Sequence, residues 1–440
     1  MPFSRIWLIL AIAAVAIVGA VAGPRIVEVA TGTAPAAERL RAAASLRPLS
    51  QAGRSVGDLE DRVEQQSDDP MAQAQLGVGY LQLARETGDP SYYARAESAL
   101  DKSMELDPNN LNALIGQGSL ALSRHEFAAA LELGERALAI SAAIPSIYGI
   151  IGDAQVELGR YDEAVVTVQS MIDLRPDLSS FSRVSFLREL HGDLPGAIDA
   201  MERALSAGGP NAENTEFARV QLGNLHFANG DLDEAERMYQ RSLVQLPDYV
   251  YALAGLGRVR AAQDRFDEAI DLYRQATARL PFPELVIGLA ETLEAAGRQA
   301  EADDEYALVQ AMQQLYAANG VRTDLDLAAF FSDHGDPQQA VELSRAAYDA
   351  QPNIRAADTL AWALYRSGDP EAAWPLAEEA LRLGTLDPRI RYHAGMIARE
   401  LGRHEEARKH LSVALELNDQ FSPLYAPRAA EALAELGSAP

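Results

Sequence analysis

The chain has no cysteine. That excludes disulfide bonds, zinc held by thiolates and thiol catalysis. Lysine is nearly as scarce, with only Lys102 and Lys409 among 38 basic residues. The familiar catalytic signatures are missing too. No Gly-x-x-x-x-Gly-Lys phosphate loop, Gly-x-Ser-x-Gly elbow or His-Glu-x-x-His helix occurs. His404-Glu405-Glu406 begins like the last of these, but the next histidine, His410, is six residues on and rotated off that helix face. No cofactor and no metal site are expected.

Positive charge is thin beyond the N-terminal segment. Residues 1–57 hold six Arg and two Glu, whereas the remainder holds 32 basic residues (38 − 6) and 62 acidic ones (64 − 2). So acidic a surface repels phosphate backbones, which argues against nucleic acid as a partner. At 48% hydrophobic, the chain is nevertheless too apolar to stay disordered. At 440 residues it exceeds one ordinary core.

What is present starts with an apolar run. Residues 1–5 form a short tail, and Ile6 to Ala22 is unbroken apolar residues and glycine. At about 1.5 Å of rise per residue, a helix over residues 6–23 is roughly long enough to cross a membrane as a signal-anchor. Ala20-Val21-Ala22 also has the small-residue form of a signal cleavage site, which would leave a secreted or periplasmic protein. Arg25, Arg39 and Arg41 after the run would by charge alone keep the rest in the cytoplasm. The short N-terminal tail favours export, so the expectation is a single-pass membrane protein with its bulk outside the cytoplasm. Residues 24–57, punctuated by Pro24, Thr31-Gly32-Thr33, Pro35, Pro48 and Gly53, are expected to form a flexible tether with one short helix near Ala36–Leu46.

A period then takes over. Gly159-Arg160, Gly192-Asp193, Gly230-Asp231, Gly297-Arg298, Gly335-Asp336, Gly368-Asp369 and Gly402-Arg403 recur, with Asp264-Arg265 filling the vacant place. The steps are 33, 38, 34, 33, 38, 33 and 34 residues. Around each pair the same residues keep register. Leu222-Gly223, Ala235, Tyr239, Ser242 and Pro247 are followed by Leu256-Gly257, Ala269, Tyr273, Ala276 and Pro281. The small residue lets a second helix approach, Ala sits at the crossing, the aromatic fills the space to the next unit, and Pro stops the helix.

This pattern resembles the tetratricopeptide repeat, a degenerate helix–turn–helix family of about 34 residues, over residues 58–436, although the family's first Trp is missing. The resemblance implies an all-α fold, a right-handed α-solenoid of about ten hairpins. They should begin near Pro70, Leu111, Pro145, Leu178, Glu216, Val250, Pro283, Val321, Ile354 and Pro388, with a half-unit at Asp58–Gln66 and a closing helix at Pro423–Leu436. Three departures stand out: an enlarged turn over Glu86–Tyr92, a longer connection at Gly208–Asn211, and a helix from Ala302 running on to Asn319-Gly320. The last predicts a first sub-array over 58–309, an extended joining helix over 310–320, and a second sub-array over 321–440. No stretch is left over for a catalytic domain, so no enzymatic activity is expected.

The resemblance also implies a concave groove lined by first helices, which binds partner peptides or helices. Groove positions lie six and three before, and one and four after, the small residue. Two patches result. The middle one joins Phe217, Asn224, Phe227, Tyr251 and Arg258. The C-terminal one joins Trp362, Tyr365 and Tyr392 to Arg355, Arg389 and Arg399, suited to a carboxylate or acidic peptide. Changing Arg389 and Trp362 together should weaken capture without unfolding the array. The carboxylate clamp of chaperone-binding members needs lysines on first helices, and Lys102 and Lys409 fall on second helices. The expected function is a membrane-tethered scaffold that recruits or assembles envelope proteins. The alternative resembles membrane-anchored repeat factors that hold clients in cytochrome c maturation.

Overall fold

The computed structural model describes residues 51–208, 212–318, 320 and 324–438. The expected tail and anchor, residues 1–23, and the tether as far as residue 50 lie outside the described residues. Among the described residues there are 22 helices and no strand, and no helix long and apolar enough to cross a membrane.

A leading helix, α1 (Gln51–Gln65), starts seven residues before the expected half-unit and takes up the end of the expected tether. Ten hairpins follow: α2 and α3 (Pro70–Thr87, Ser91–Leu106), α4 and α5 (Leu111–Ser123, Phe127–Ile140), α6 and α7 (Pro145–Glu157, Tyr161–Leu174), α8 and α9 (Leu178–Leu190, Leu194–Ala207), α10 and α11 (Ala212–Ala228, Leu232–Gln245). Then come α12 and α13 (Val250–Ala262, Phe266–Arg279), α14 and α15 (Pro283–Ala295, Gln299–Ala318), α16 and α17 (Asp324–His334, Pro337–Ala350), α18 and α19 (Ile354–Arg366, Pro370–Ala380), α20 and α21 (Pro388–Glu400, His404–Leu417). The closing helix α22 is Tyr425–Ser438, with Arg428, Glu431 and Glu435 exposed. The two helices of each hairpin pack together, and successive hairpins pack on one another helix to helix, except that α14–α15 and α16–α17 meet through a shared side-chain cluster; the result is a solenoid.

The recurring Gly has a conformational cause. Gly159, Gly192, Gly230, Gly297, Gly368 and Gly402 all have positive φ, and Asp264 takes the same left-handed conformation at φ 59°. The residue after each turns its N–H back five residues, as Arg160 does to Gln155 O (2.8 Å) and Arg265 to Arg260 O (2.9 Å). This is the Schellman ending of a helix, and glycine meets its backbone demand without a Cβ penalty.

Besides α1, three helix starts differ from expectation: α10 begins at Ala212, α16 at Asp324 and α22 at Tyr425. The insertion in the first hairpin lengthens α2 to 18 residues and leaves a turn of only Gly88-Asp89-Pro90. The long helix α15 is present, and the apolar core carries on through it. Leu308, Val309 and Met312 of α15 share one buried cluster with Leu289 and Leu293 before it and with Leu327, Phe330 and Phe331 after it.

Tyr239 shows how the hairpins lock. It is fully buried, and a Cβ on Gly223 of its own hairpin would meet it at 2.6 Å, while one on Gly255 of the next would meet it at 2.5 Å. Tyr273 sits likewise between Gly257 and Gly288.

Candidate functional site

The first helices line a lumen that holds two large cavities, of about 600 Å³ and 550 Å³. The larger is walled by residues as far apart as His125, Tyr251, Glu291, Arg389 and Pro423, so both turns of the coil enclose it. A smaller recess of about 260 Å³ opens beside α18 and α20.

The middle patch forms as one unit. Phe217 stands edge-on to Tyr251 at 5.9 Å, and Tyr251 stacks on Phe282 at 6.2 Å. Arg258 lies over Phe227 at 4.5 Å, bonds the Tyr239 hydroxyl at 2.9 Å and reaches Asn224. Phe227, Tyr251 and Arg258 face the larger cavity, whereas Phe217 and Asn224 face the second. Phe217, at 37% exposed, offers its ring to the lumen, but Phe227 is buried under Arg258.

The C-terminal patch is only partly gathered: Arg355, Trp362 and Arg389 line the smaller recess. Arg355 and Arg389 reach the lumen, in the same cavity as the middle patch. Trp362 and Tyr392 are buried, and Tyr365 stacks on Trp362 at 5.0 Å instead of lining a cavity. Arg399 pairs with Glu435 of the closing helix. The closing helix is the cause: Tyr392 packs against Tyr425 and Phe421, which roof this end of the groove. Replacing Trp362 would therefore empty part of the core, contrary to the expectation that this change leaves the fold intact.

Arg389 is committed to its neighbours. Its guanidinium lies 3.1 Å from Glu291 and 3.5 Å from Asp333. Asp333 also accepts the Trp362 indole N–H at 2.8 Å. Burial alone would raise the Asp333 carboxyl, but Arg389, His393, the indole and His334 together hold it below the usual carboxylate range. Glu291, Asp333 and His334 bring ligand atoms within 4.8 Å of one another. Arg389 already supplies the positive charge there, so the trio reads as an ion-pair network. His410, which the sequence pairs loosely with His404, is buried; burial, with Arg391 and Lys409, lowers it to about 4.

Several lumen residues lie outside the two expected patches. Counting the same steps from Ser185 gives Ser179, Ser182, Phe186 and Glu189, all in the second cavity. From Ala290 they give Glu284, Ile287 and Glu291, and from Ser332 they give Ala329 and Asp333. Both serines are buried small residues doing the work of glycine. Glu189 opens onto the second cavity yet is crowded by protein on its other sides. That desolvation, reinforced by Asp387 and opposed by Arg355, pushes its carboxyl up to about 7.

Comparison with known proteins agrees with this construction. Tetratricopeptide repeat profiles match residues 145–178, 220–282 and 359–423, so the chain carries tetratricopeptide repeats. Among solved structures, the MamA protein is 17% identical, with 38% of this chain and 91% of that one covered at a TM-score of 0.30. The Cut9–Hcn1 hetero-tetramer of APC/C is 15% identical, covering 91% and 83% at 0.39. The human IFIT1 dimer with PPP-AAAA is 15% identical, covering 86% and 93% at 0.46. No curated protein matches the sequence.

Proposed function

We propose that this superhelix of tetratricopeptide repeats is a binding scaffold, without catalytic activity of its own, that holds an extended segment of a partner protein in its lumen. One observation carries the reading: the second cavity of about 550 Å³ presents Phe186 and Phe217, 38% and 37% exposed, beside polar groups of α8 and α10. Aromatic rings offered to a concave wall with hydrogen-bonding groups around them are what an apolar side chain on a peptide needs. The apolar run at Ile6–Ala22 would tether the scaffold to a membrane with the repeats on the extracytoplasmic face, where it recruits or assembles envelope proteins. Holding unfolded clients, as in cytochrome c maturation, is the second form this function can take.

The test is partner recovery by the full chain and by Phe186→Ser with Phe217→Ser. Recovery should fall by about tenfold or more while helicity is unchanged. Equal recovery would remove the lumen from the proposal. A phosphatase reporter fused after residue 440 should be active on the far side of the membrane; an inactive fusion would place the repeats in the cytoplasm.

A further inference from the structure

The repeats wind far enough for one turn of the superhelix to lie on the next, and the contact is regular. The turn of the first hairpin meets the loop before α14, where a Cβ on Gly88 would touch Leu280 at 2.7 Å. In the second hairpin, Arg124 lies beside Gly320. In the third, Glu157, Gly159 and Tyr161 meet Pro352, Asn353 and Ile354. In the fourth, Gly192 meets Gly384. In the fifth, Phe227 and Gly230 meet Leu417 and Asn418. One step along either edge is one hairpin along the other, so the wall is joined at each of these levels.

Two asparagines, each only 3% exposed, supply the buried joints. Asn353 Oδ1 accepts from Ala356 N at 2.8 Å and caps α18, while its Nδ2 donates to Glu157 O at 3.2 Å and to Glu157 Oε2 at 2.9 Å. Asn418 Oδ1 accepts from Gln420 N at 2.8 Å, while its Nδ2 donates to Phe227 O at 2.6 Å. Beside the first joint, Ile354 N–H donates to the Tyr161 hydroxyl at 2.9 Å, and Arg382 donates to Gly159 O at 3.2 Å. Val156, Tyr161, Leu190 and Ile354 share one apolar cluster across the contact. Hydrogen bonds in so dry a place are costly to leave unmade.

We infer that this seam is a clasp: Asn353 and Asn418 hold the superhelix shut along its side, and the lumen is loaded through its ends by a polypeptide with a free terminus. The second half of the statement rests on the lumen being the binding site; the first does not. The division of labour within each amide supplies the tool. Aspartate at either position keeps the oxygen that accepts from its own helix or turn and loses the donor that crosses the seam. At residue 353 it also sets a carboxylate against that of Glu157.

Because the chain has no cysteine, spin labels on Arg160→Cys and Asp349→Cys report the seam alone in the full-length protein. With both asparagines present, the distance between labels should be a single narrow distribution. With Asn353→Asp and Asn418→Asp it should lengthen and broaden at unchanged helicity. The same distribution in both proteins, or a broad one already present with both asparagines, overturns the clasp. Loading is tested with short linear peptide libraries and the same libraries closed into disulfide rings. The native seam should retain linear peptides over rings by about tenfold or more, and the double aspartate variant should retain both. Rings held equally well by the native seam overturn end loading. Retention of neither library overturns the lumen reading, and end loading with it, while the spin-label distances still decide the clasp.

Discussion

The side-chain amide of Asn353 donates to the carbonyl oxygen of Glu157 at 3.2 Å, although 196 residues separate them in the chain. An array whose units touched only their neighbours would have a stability close to the sum of nearest-neighbour terms. Here the second turn braces the first. Asn353→Ala removes a helix cap worth about 1 kcal/mol and a buried hydrogen bond worth about 1 kcal/mol. Denaturant titration should show the sum, about 2 kcal/mol. A loss no larger than that of an ordinary cap would mean the contact across the seam contributes nothing.

Opposite signs are expected for two glycine substitutions. Gly255→Ala drives a methyl into Tyr239 and should destabilise by about 1–3 kcal/mol. Gly57→Ala, inside α1 with nothing within 4 Å of its Cβ, should stabilise by about 0.5–1 kcal/mol through helix propensity. Thermal unfolding of both variants checks the pair, and a stabilising Gly255→Ala would show that the locked aromatic has room to move.

Asp333→Ala leaves the Trp362 indole N–H without its acceptor and takes one carboxylate from Arg389. A fully buried pair broken in this way costs about 3–5 kcal/mol. With the Arg389 side chain 40% exposed, solvent screening and the surviving Glu291 contact bring the expected loss to about 2 kcal/mol. Urea unfolding followed by tryptophan fluorescence measures it, and an unchanged midpoint would show that the network is ornamental to stability.

Glu189 gives a pH signature. Its carboxyl is raised from 4.5 in the unfolded chain to about 7 in the lumen. The folded state therefore binds the proton more tightly. The stability this contributes is complete below 4.5 and is lost as pH rises through about 7. Glu189→Gln, always neutral, should match the parent at pH 4.5 and melt higher than the parent at pH 8. The same difference at both pH values would contradict the wall of Asp387 and protein around this group.

Much of the fold was legible because its punctuation is local. A left-handed residue ends the first helix of every hairpin except α16–α17, and Asp264 and His125 take the place that Gly holds in the others. The lumen was legible in part. The spacing rule found Phe217, Tyr251, Arg258 and Arg355 where Gly or Ala marks the helix crossing, and passed over Phe186, Glu189 and Asp333 where Ser does the same job. Tyr365, Tyr392 and Arg399 satisfy the rule yet miss the lumen, because α22 and the loop before it cover that stretch of groove. The seam left no local trace at all: its partners match in space only once five hairpins of curvature have accumulated, and no repeat encodes that sum by itself.

Site-specific photo-crosslinking in cells gives the most direct test that partners are held inside the coil. A photoreactive residue at Tyr251, in the lumen wall, should capture a partner protein, while one at Val166, 67% exposed on α7 outside the lumen cavities, should capture little. Capture at Val166 with none at Tyr251 would place binding on the outer surface and contradict a lumen-binding scaffold.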